Sequence, residues 1–112
     1  MFNQVVLIGR TTEKPTLTRL ESGQTVGHLT LAVNRPYKNQ DGNYDTDFLT
    51  FTLWNRGAVS AKAYCNKGSL IGVRGIVIQK EETVLFKKDD ENLYKKIKTY
   101  DLVGENIIFL KL

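Results

Sequence analysis

Asp47-Phe48-Leu49-Thr50-Phe51-Thr52-Leu53-Trp54 reads as a β-strand with two rings on the wrong face. Successive side chains of a strand point to opposite sides. Leu49, Phe51 and Leu53 therefore share the apolar face that belongs in a core, and Phe48, Thr50, Thr52 and Trp54 share the other. That second face ought to be wet, yet it carries a Phe and the chain's single Trp, with two hydroxyl residues between them. Rings displayed in this way are either covered by a loop or subunit interface, or kept for a flat ligand. Nucleic-acid bases are the commonest flat ligand.

The flanking segments have the same short-strand character, separated by turn residues. Phe2 to Gly9 reads as a first strand, and Pro15 and Ser22-Gly23 punctuate a ribbon through Leu17, Thr18 and Leu20. Thr25 to Val33 reads as a second strand, with Leu29, Leu31 and Val33 on one face and His28, Thr30 and Ala32 on the other. Asn34 to Thr46, with Pro36 and Asp41-Gly42, reads as a long hairpin connection into the strand that ends at Trp54. From Arg56 to Asn66 the pattern changes to helix: Ala58, Ala61 and Ala63 favour it, Asn55 can cap its start and Gly68 can end it. Ser69 to Ile78 returns to strand, with Gly72 and Gly75 marking bends. Lys80 to Lys98 is a second long excursion whose centre, Asp89-Asp90-Glu91-Asn92, reads as a turn between two strand-like arms, and Thr99 to Val103 and Asn106 to Leu110 re-enter as closing strands. This order fits an all-β, five-stranded Greek-key barrel of the OB type with one short helix between its third and fourth strands.

At 112 residues the chain is a single domain. Lys and Arg outnumber Asp and Glu by 16 to 12, a formal charge of +4, which is a mild bias toward a polyanionic partner. The one cysteine, Cys65, forms no internal disulfide and is expected to pack in the last helical turn, which favours a reducing cytoplasm. The apolar run Val5 to Ile8 is too short for a signal peptide or a membrane span. One His and one Cys in separate elements supply no metal site, and there is no phosphate-cradling loop or nucleophile motif, so neither cofactor nor enzymatic activity is expected.

The residues also carry a family likeness. Asn3-Gln4-Val5-Val6-Leu7-Ile8-Gly9-Arg10, Leu29 through Tyr37, Asp47-Phe48, Lys67-Gly68-Ser69 and the closing Phe109-Leu110 occur in the order and at the separations found in bacterial single-stranded DNA-binding proteins, which the chain resembles. The resemblance implies an OB fold that wraps single-stranded DNA with little sequence preference, assembled as a homotetramer, although an exposed first-strand edge could equally serve a dimer. It places base-stacking rings at Tyr37, Phe48 and Trp54 and phosphate-contacting charges at Arg10, Arg35 and Arg56, with Arg74 a further basic candidate. Each arginine could otherwise be an ordinary surface charge, and Tyr37 could simply anchor a turn beside Pro36.

Two stretches depart from the family pattern. Where many relatives carry an aromatic after the fourth strand, this chain has Lys80-Glu81-Glu82. Tyr94, Lys96, Lys98 and Tyr100 would share one face of an extended arm and could take over, but Glu81 to Lys98 holds five lysines and five acids, so a solvated hairpin stays open as the reading for Tyr94 and Lys96. Relatives also commonly continue into an acidic tip that recruits replication and repair enzymes, whereas this sequence stops at Lys111-Leu112. Either the tail has been removed or the chain is a naturally tailless phage, plasmid or specialised relative. The rival reading from another class is an OB module of primosome type that docks replication proteins and uses its rings for protein contacts.

Overall fold

The computed structural model describes residues 1–110; the expectations for Lys111 and Leu112 lie outside them. The strands are β1 (Val5–Thr11), the two-residue β2 (Thr18–Arg19), β3 (Thr25–Lys38) and β4 (Tyr44–Trp54). Helix α1 (Arg56–Tyr64) follows, then β5 (Leu70–Lys88) and β6 (Glu91–Phe109). Their hydrogen-bonded order is β1-β5-β6-β4-β3-β2, and β1 also pairs with β3, so the sheet closes on itself through five strands. Among the described residues all pairings are antiparallel except β4 with β6, where Phe51 stands beside Leu102 and Thr52 beside Val103. This is the expected Greek-key OB barrel with its helix between the third and fourth barrel strands.

The core follows the alternation. Leu29 and Leu31 of β3, Phe51 and Leu53 of β4, and Ile71 and Val73 of β5 are buried together, joined by Ala58 and Ala61 of α1 and by Cys65. The two alanines let α1 lie close on β3, β4 and β6. Burial pushes the Cys65 thiol up from its ordinary value, so it behaves as a small apolar filler. At the first end of the barrel, Asn3 lies before β1, but its side-chain amide donates to the Val77 carbonyl at 2.7 Å and accepts from the Val77 N–H at 3.0 Å.

Several boundaries differ from the sequence reading, each for a physical reason. β3 and β4 run well past Val33 and Asp47, and only Asn39 to Asn43 turn; Asn39 Oδ1 accepts from the N–H groups of Asp41 and Asn43 at 2.9 and 3.0 Å. The two strand-like arms of the second excursion are present as read, but they continue the barrel strands without a break and are joined by only the two-residue turn Asp89-Asp90, with φ of 54° and 62°. Both central residues in the left-handed region is the hairpin geometry that matches strand twist. Both ribbons extend into water on either face, so their sequences lack the apolar alternation that betrays a half-buried strand.

Asn55 stands at the start of the helix, where its carbonyl accepts from the Val59 N–H at 3.0 Å, but its side chain does not cap it. Its φ is 52°, and its side-chain oxygen accepts from the Thr25 N–H at 3.1 Å and makes no bond to α1. It ties the end of β4 to the start of β3 instead. The helix ends at Tyr64, with Cys65 already extended beyond it, and Gly68, at φ 85°, turns the chain later. The closing strands form one strand, β6, whose register against β5 shifts at Arg74/Gly75. A Cβ on Gly75 would strike the Val103 carbonyl and one on Gly104 would strike the Leu53 side chain, so glycine at both positions lets β6 press close at this bulge.

Candidate nucleic-acid interface

The register of β3 against β4 builds a continuous outer face. Trp54 stands opposite Val26, Thr52 opposite His28, Thr50 opposite Thr30 and Phe48 opposite Ala32. Phe48 is 68% exposed and Trp54 41%, while Phe51, between them on the other face, is fully buried. The hydroxyls of Thr30 and Thr50 hydrogen-bond to each other at 2.7 Å, flooring the space between the rings. Successive same-face residues are about 7 Å apart along a strand. Phe48 and Trp54 therefore lie on the order of 20 Å apart on one face. His28, given no role in the sequence reading, stands exposed in the middle of this face.

Arg10 is brought to the Phe48 end. It pairs with Ala32 across β1 and β3, and its guanidinium donates to the Gly68 carbonyl at 3.0 Å. Together with Ile8, Asn34, Thr46 and Phe48 it lines an open groove of about 490 Å³. Thr46 donates to Asn34 Oδ1 at 2.7 Å along the groove's far wall. A ring, polar side chains and one arginine thus converge on one concavity.

Arg35 is occupied. Its Nε and Nη2 donate to the two oxygens of Asp47 at 3.0 Å each, and Asp45 approaches to 3.8 Å. Arg35 and Asp47 lie on the strand face that alternates with Phe48, so this charge does not join the ring face. The hydrogen bond from Arg35 holds the Asp47 carboxyl below its usual range, reinforced by the guanidinium charge and partly opposed by desolvation. A depressed folded value means that the contribution of the pair to stability is present above the unfolded carboxylate range and is lost as pH falls through the folded value. In an exposed pair that contribution is small. Arg35→Met is expected to return the Asp47 titration, followed by side-chain carboxyl NMR, upward to the ordinary range; an unmoved midpoint would remove Arg35 as the cause. Tyr37 belongs to β3 and not to a loop, with its ring 61% exposed.

The remaining basic candidates are dispersed. Arg56 opens α1 two residues after Trp54 and lines a second cavity of about 340 Å³ with Ser60, Asn106 and Phe109. Arg74 pairs with Val6 and Asn106 on the outside of β1, β5 and β6, away from the β3–β4 face. Tyr94 and Lys96 do share a face with Lys98 and Tyr100, and Lys96 makes a loose ion pair with Glu81 at 3.9 Å. That face alternates with the one continuous with Trp54, because Thr52 stands beside Val103 and two-residue steps from there lead to Asp101, Thr99 and Ile97.

This seam between β4 and β6 contains a group that sequence reasoning missed. Thr52 Oγ1 donates to the Asp101 carboxylate, 3.1 Å from each oxygen, and Lys80 Nζ lies 3.2 Å from Oδ2. Asp101 is mostly shielded, its side chain 18% exposed. Only the parallel pairing of β4 with β6, distant in sequence, brings it to the ring-bearing face; no local signal marks it.

Comparison with known proteins agrees with this geometry. The model of the single-strand binding protein family matches residues 2–110. Single-stranded DNA-binding protein B of Bacillus subtilis is 49% identical over 75 residues, covering 67% of this chain and 66% of that protein. A single-stranded DNA-binding protein of Oceanobacillus iheyensis is 36% identical over 111 residues, covering 99% of this chain and 65% of its own length. Single-stranded DNA-binding protein 3 of Listeria innocua is 37% identical with the same coverages. The chain therefore spans just under two thirds of the length of these relatives. With its barrel closed, its two rings displayed and the family model matched across nearly its whole length, the chain belongs to the single-strand binding protein family.

Proposed function

We propose that this chain binds single-stranded DNA with little sequence preference and holds it open against reannealing and nuclease attack during replication, recombination or repair. The observation that carries the reading is the pair of exposed rings, Phe48 and Trp54, on one hydroxyl-floored strand face. Bases stack on these rings and on Tyr37, and every base offers a π-face, which accounts for weak sequence preference. Arg10 supplies phosphate contact beside Phe48, and Arg56 does so beyond Trp54, with release of counterions. Arg35 contributes only by exchanging its ion pair with Asp47, and Arg74, Tyr94 and Lys96 only where the strand passes round the barrel. The action is stoichiometric and non-enzymatic.

The chain is proposed to act in the cytoplasm as a homo-oligomer, a tetramer in preference to a dimer. The family resemblance and the exposed Val6 and Ile8 on β1 support this assembly. Among the described residues no helix is long and apolar enough to cross a membrane. Recruitment of replication proteins is a further proposal, drawn from the family.

Titration with long oligo-dT at low salt tests the binding directly. Trp54, as the only tryptophan, reports from one place per subunit, and its emission is expected to be strongly quenched. Affinity should fall with salt at a log–log slope of roughly −0.7 per phosphate contacted. Unchanged emission would sink base stacking at Trp54 and favour a protein-docking role for the rings.

A further inference from the structure

Accepting the proposed passage of single-stranded DNA over Phe48 and Trp54, we propose that Tyr44 stacks a further base and that Lys38, opposite it, contacts the adjoining phosphate. The bound strand is thereby carried off the barrel and onto the β3–β4 ribbon. Tyr44 falls in the segment whose sequence reads as a hairpin connection, yet it opens β4. Two-residue steps from Trp54 lead through Thr52, Thr50, Phe48 and Thr46 to Tyr44, so its ring continues the same face. The register shift leaves four steps of β3, from Asn34 to Lys38, against two of β4, from Thr46 to Tyr44. The extra residues therefore sit in β3, and the alternation of β4 is unbroken. Tyr44 stands about 14 Å beyond Phe48, past the groove that Thr46 and Asn34 help to line.

The ring is open to a ligand and held in place. Tyr44 is 53% exposed, and Lys38 pairs with it across the ribbon, its ammonium 5.8 Å from the ring centroid. That distance is near the outer limit of a cation–π contact, which at an exposed site is weaker than the stacking of a base. A base thus takes the ring and leaves the ammonium for a phosphate. The turn beyond is fixed by its own bonds: the Asn39 N–H donates to the Asn43 carbonyl at 2.7 Å, and Asn39 Oδ1 accepts from the Asp41 and Asn43 N–H groups. Little ordering is then left to oppose binding.

Charge is sorted between the two faces of the ribbon. Asp45 and Asp47, the acids of β4, alternate with Tyr44, Thr46 and Phe48 and so belong to the reverse face. There Asn39 Nδ2 donates to Asp45 at 3.0 Å and Arg35 holds Asp47. The ring side presents Tyr44, Lys38, Thr46 and Asn34, and neither β3 nor β4 places a carboxylate on it. A backbone that follows Phe48 outward along this side meets a lysine and hydrogen-bonding groups without a like charge from either strand.

The test measures binding of oligo-dT of about 16 nucleotides, the upper range for one OB fold, by the native protein, Tyr44→Phe and Tyr44→Val. Phenylalanine keeps a π-face, and valine keeps strand preference without one. Tyr44→Val is expected to bind about fivefold or more weakly than the native protein, and Tyr44→Phe to stay within about twofold of it. Lys38→Met should make the log–log salt dependence shallower by about 0.7; an equal slope would overturn the phosphate contact. A fourth measurement leaves the ring in place: in protein labelled with 3-fluorotyrosine, the Tyr44 fluorine resonance, identified by its loss in Tyr44→Phe, should shift at saturating oligo-dT. An unmoved resonance, or a valine variant that binds as tightly as the phenylalanine one, would overturn stacking at Tyr44. Trp54 is present in all of these proteins, so its quenching separates the two readings. Quenching with no effect at Tyr44 would overturn this proposal alone, whereas failure of the native protein to bind oligo-dT would overturn the DNA-binding reading as well.

Discussion

Trp54→Ala is expected to weaken binding to oligo-dT by about 1–3 kcal/mol, roughly 5- to 160-fold, and Phe48→Ala by a similar amount. Phe48→Ala should alter thermal stability little. Phe48 has most of its surface in water, and its removal leaves no buried cavity; exposed substitutions away from special features usually fall within about 0.5 kcal/mol. The two rings stand at opposite ends of one face, so their effects should add on an oligonucleotide long enough to reach both. On a fragment too short to span them, loss of one ring should be partly masked by relocation to the other. Fluorescence anisotropy with a labelled oligonucleotide reports both variants, including Trp54→Ala, which has no intrinsic signal. A loss of less than twofold in both would mean that the rings are covered in the working protein.

Phe51→Ala should do the reverse. Phe51 is the largest fully buried side chain and lies at the centre of the cluster formed by β3, β4 and β5. Removing a buried Phe costs about 3–5 kcal/mol, in lost transfer energy and in the cavity left behind. Domains of this size have only about 5–15 kcal/mol in total. At about 4–8 °C per kcal/mol, the melting midpoint should fall by roughly 12–40 °C. Urea or thermal melting followed by circular dichroism measures it, and a loss under about 1 kcal/mol would show that the core is not organised around this ring. Below its melting range the variant should still bind oligo-dT, because the outer face keeps its rings. Phe48 and Phe51 are three positions apart and chemically identical, and alternation alone assigns one to the outer face and the other to the core.

That contrast was legible in the sequence because a period of two is a local property. The barrel strands, the alanine-rich helix and the face carrying Phe48 and Trp54 could all be read from residues within a few positions of each other. The extension of β3 and β4 through 34–46 could not, since that ladder runs through solvent and leaves no apolar pattern, and the arms of 80–98 were legible as strands but not as unbroken continuations of the barrel. Asn55 shows a different limit. Its residue type suits a helix cap, but its side chain serves Thr25, thirty residues earlier, and propensity cannot foresee a tertiary partner. Arg35 and Asp47 are similar: the positive charge was visible, but its occupation by a cross-strand acid depended on register. Asp101 was the least legible, because it reaches the ring face through the parallel pairing of β4 with β6.

The β5–β6 ribbon carries this logic outward from the barrel. From Gly75 and Gly104 to the turn at Asp89-Asp90, its register runs without a further shift. Each strand therefore behaves like a two-sided tape, with Tyr94, Lys96, Lys98 and Tyr100 written on one side and Ile97, Thr99 and Asp101 on the other. Adding or deleting one residue in a strand turns over everything beyond that point. Length variation in this ribbon that preserves the tyrosine–lysine stripe should accordingly come in steps of two residues per strand, with the partner strand changing to match.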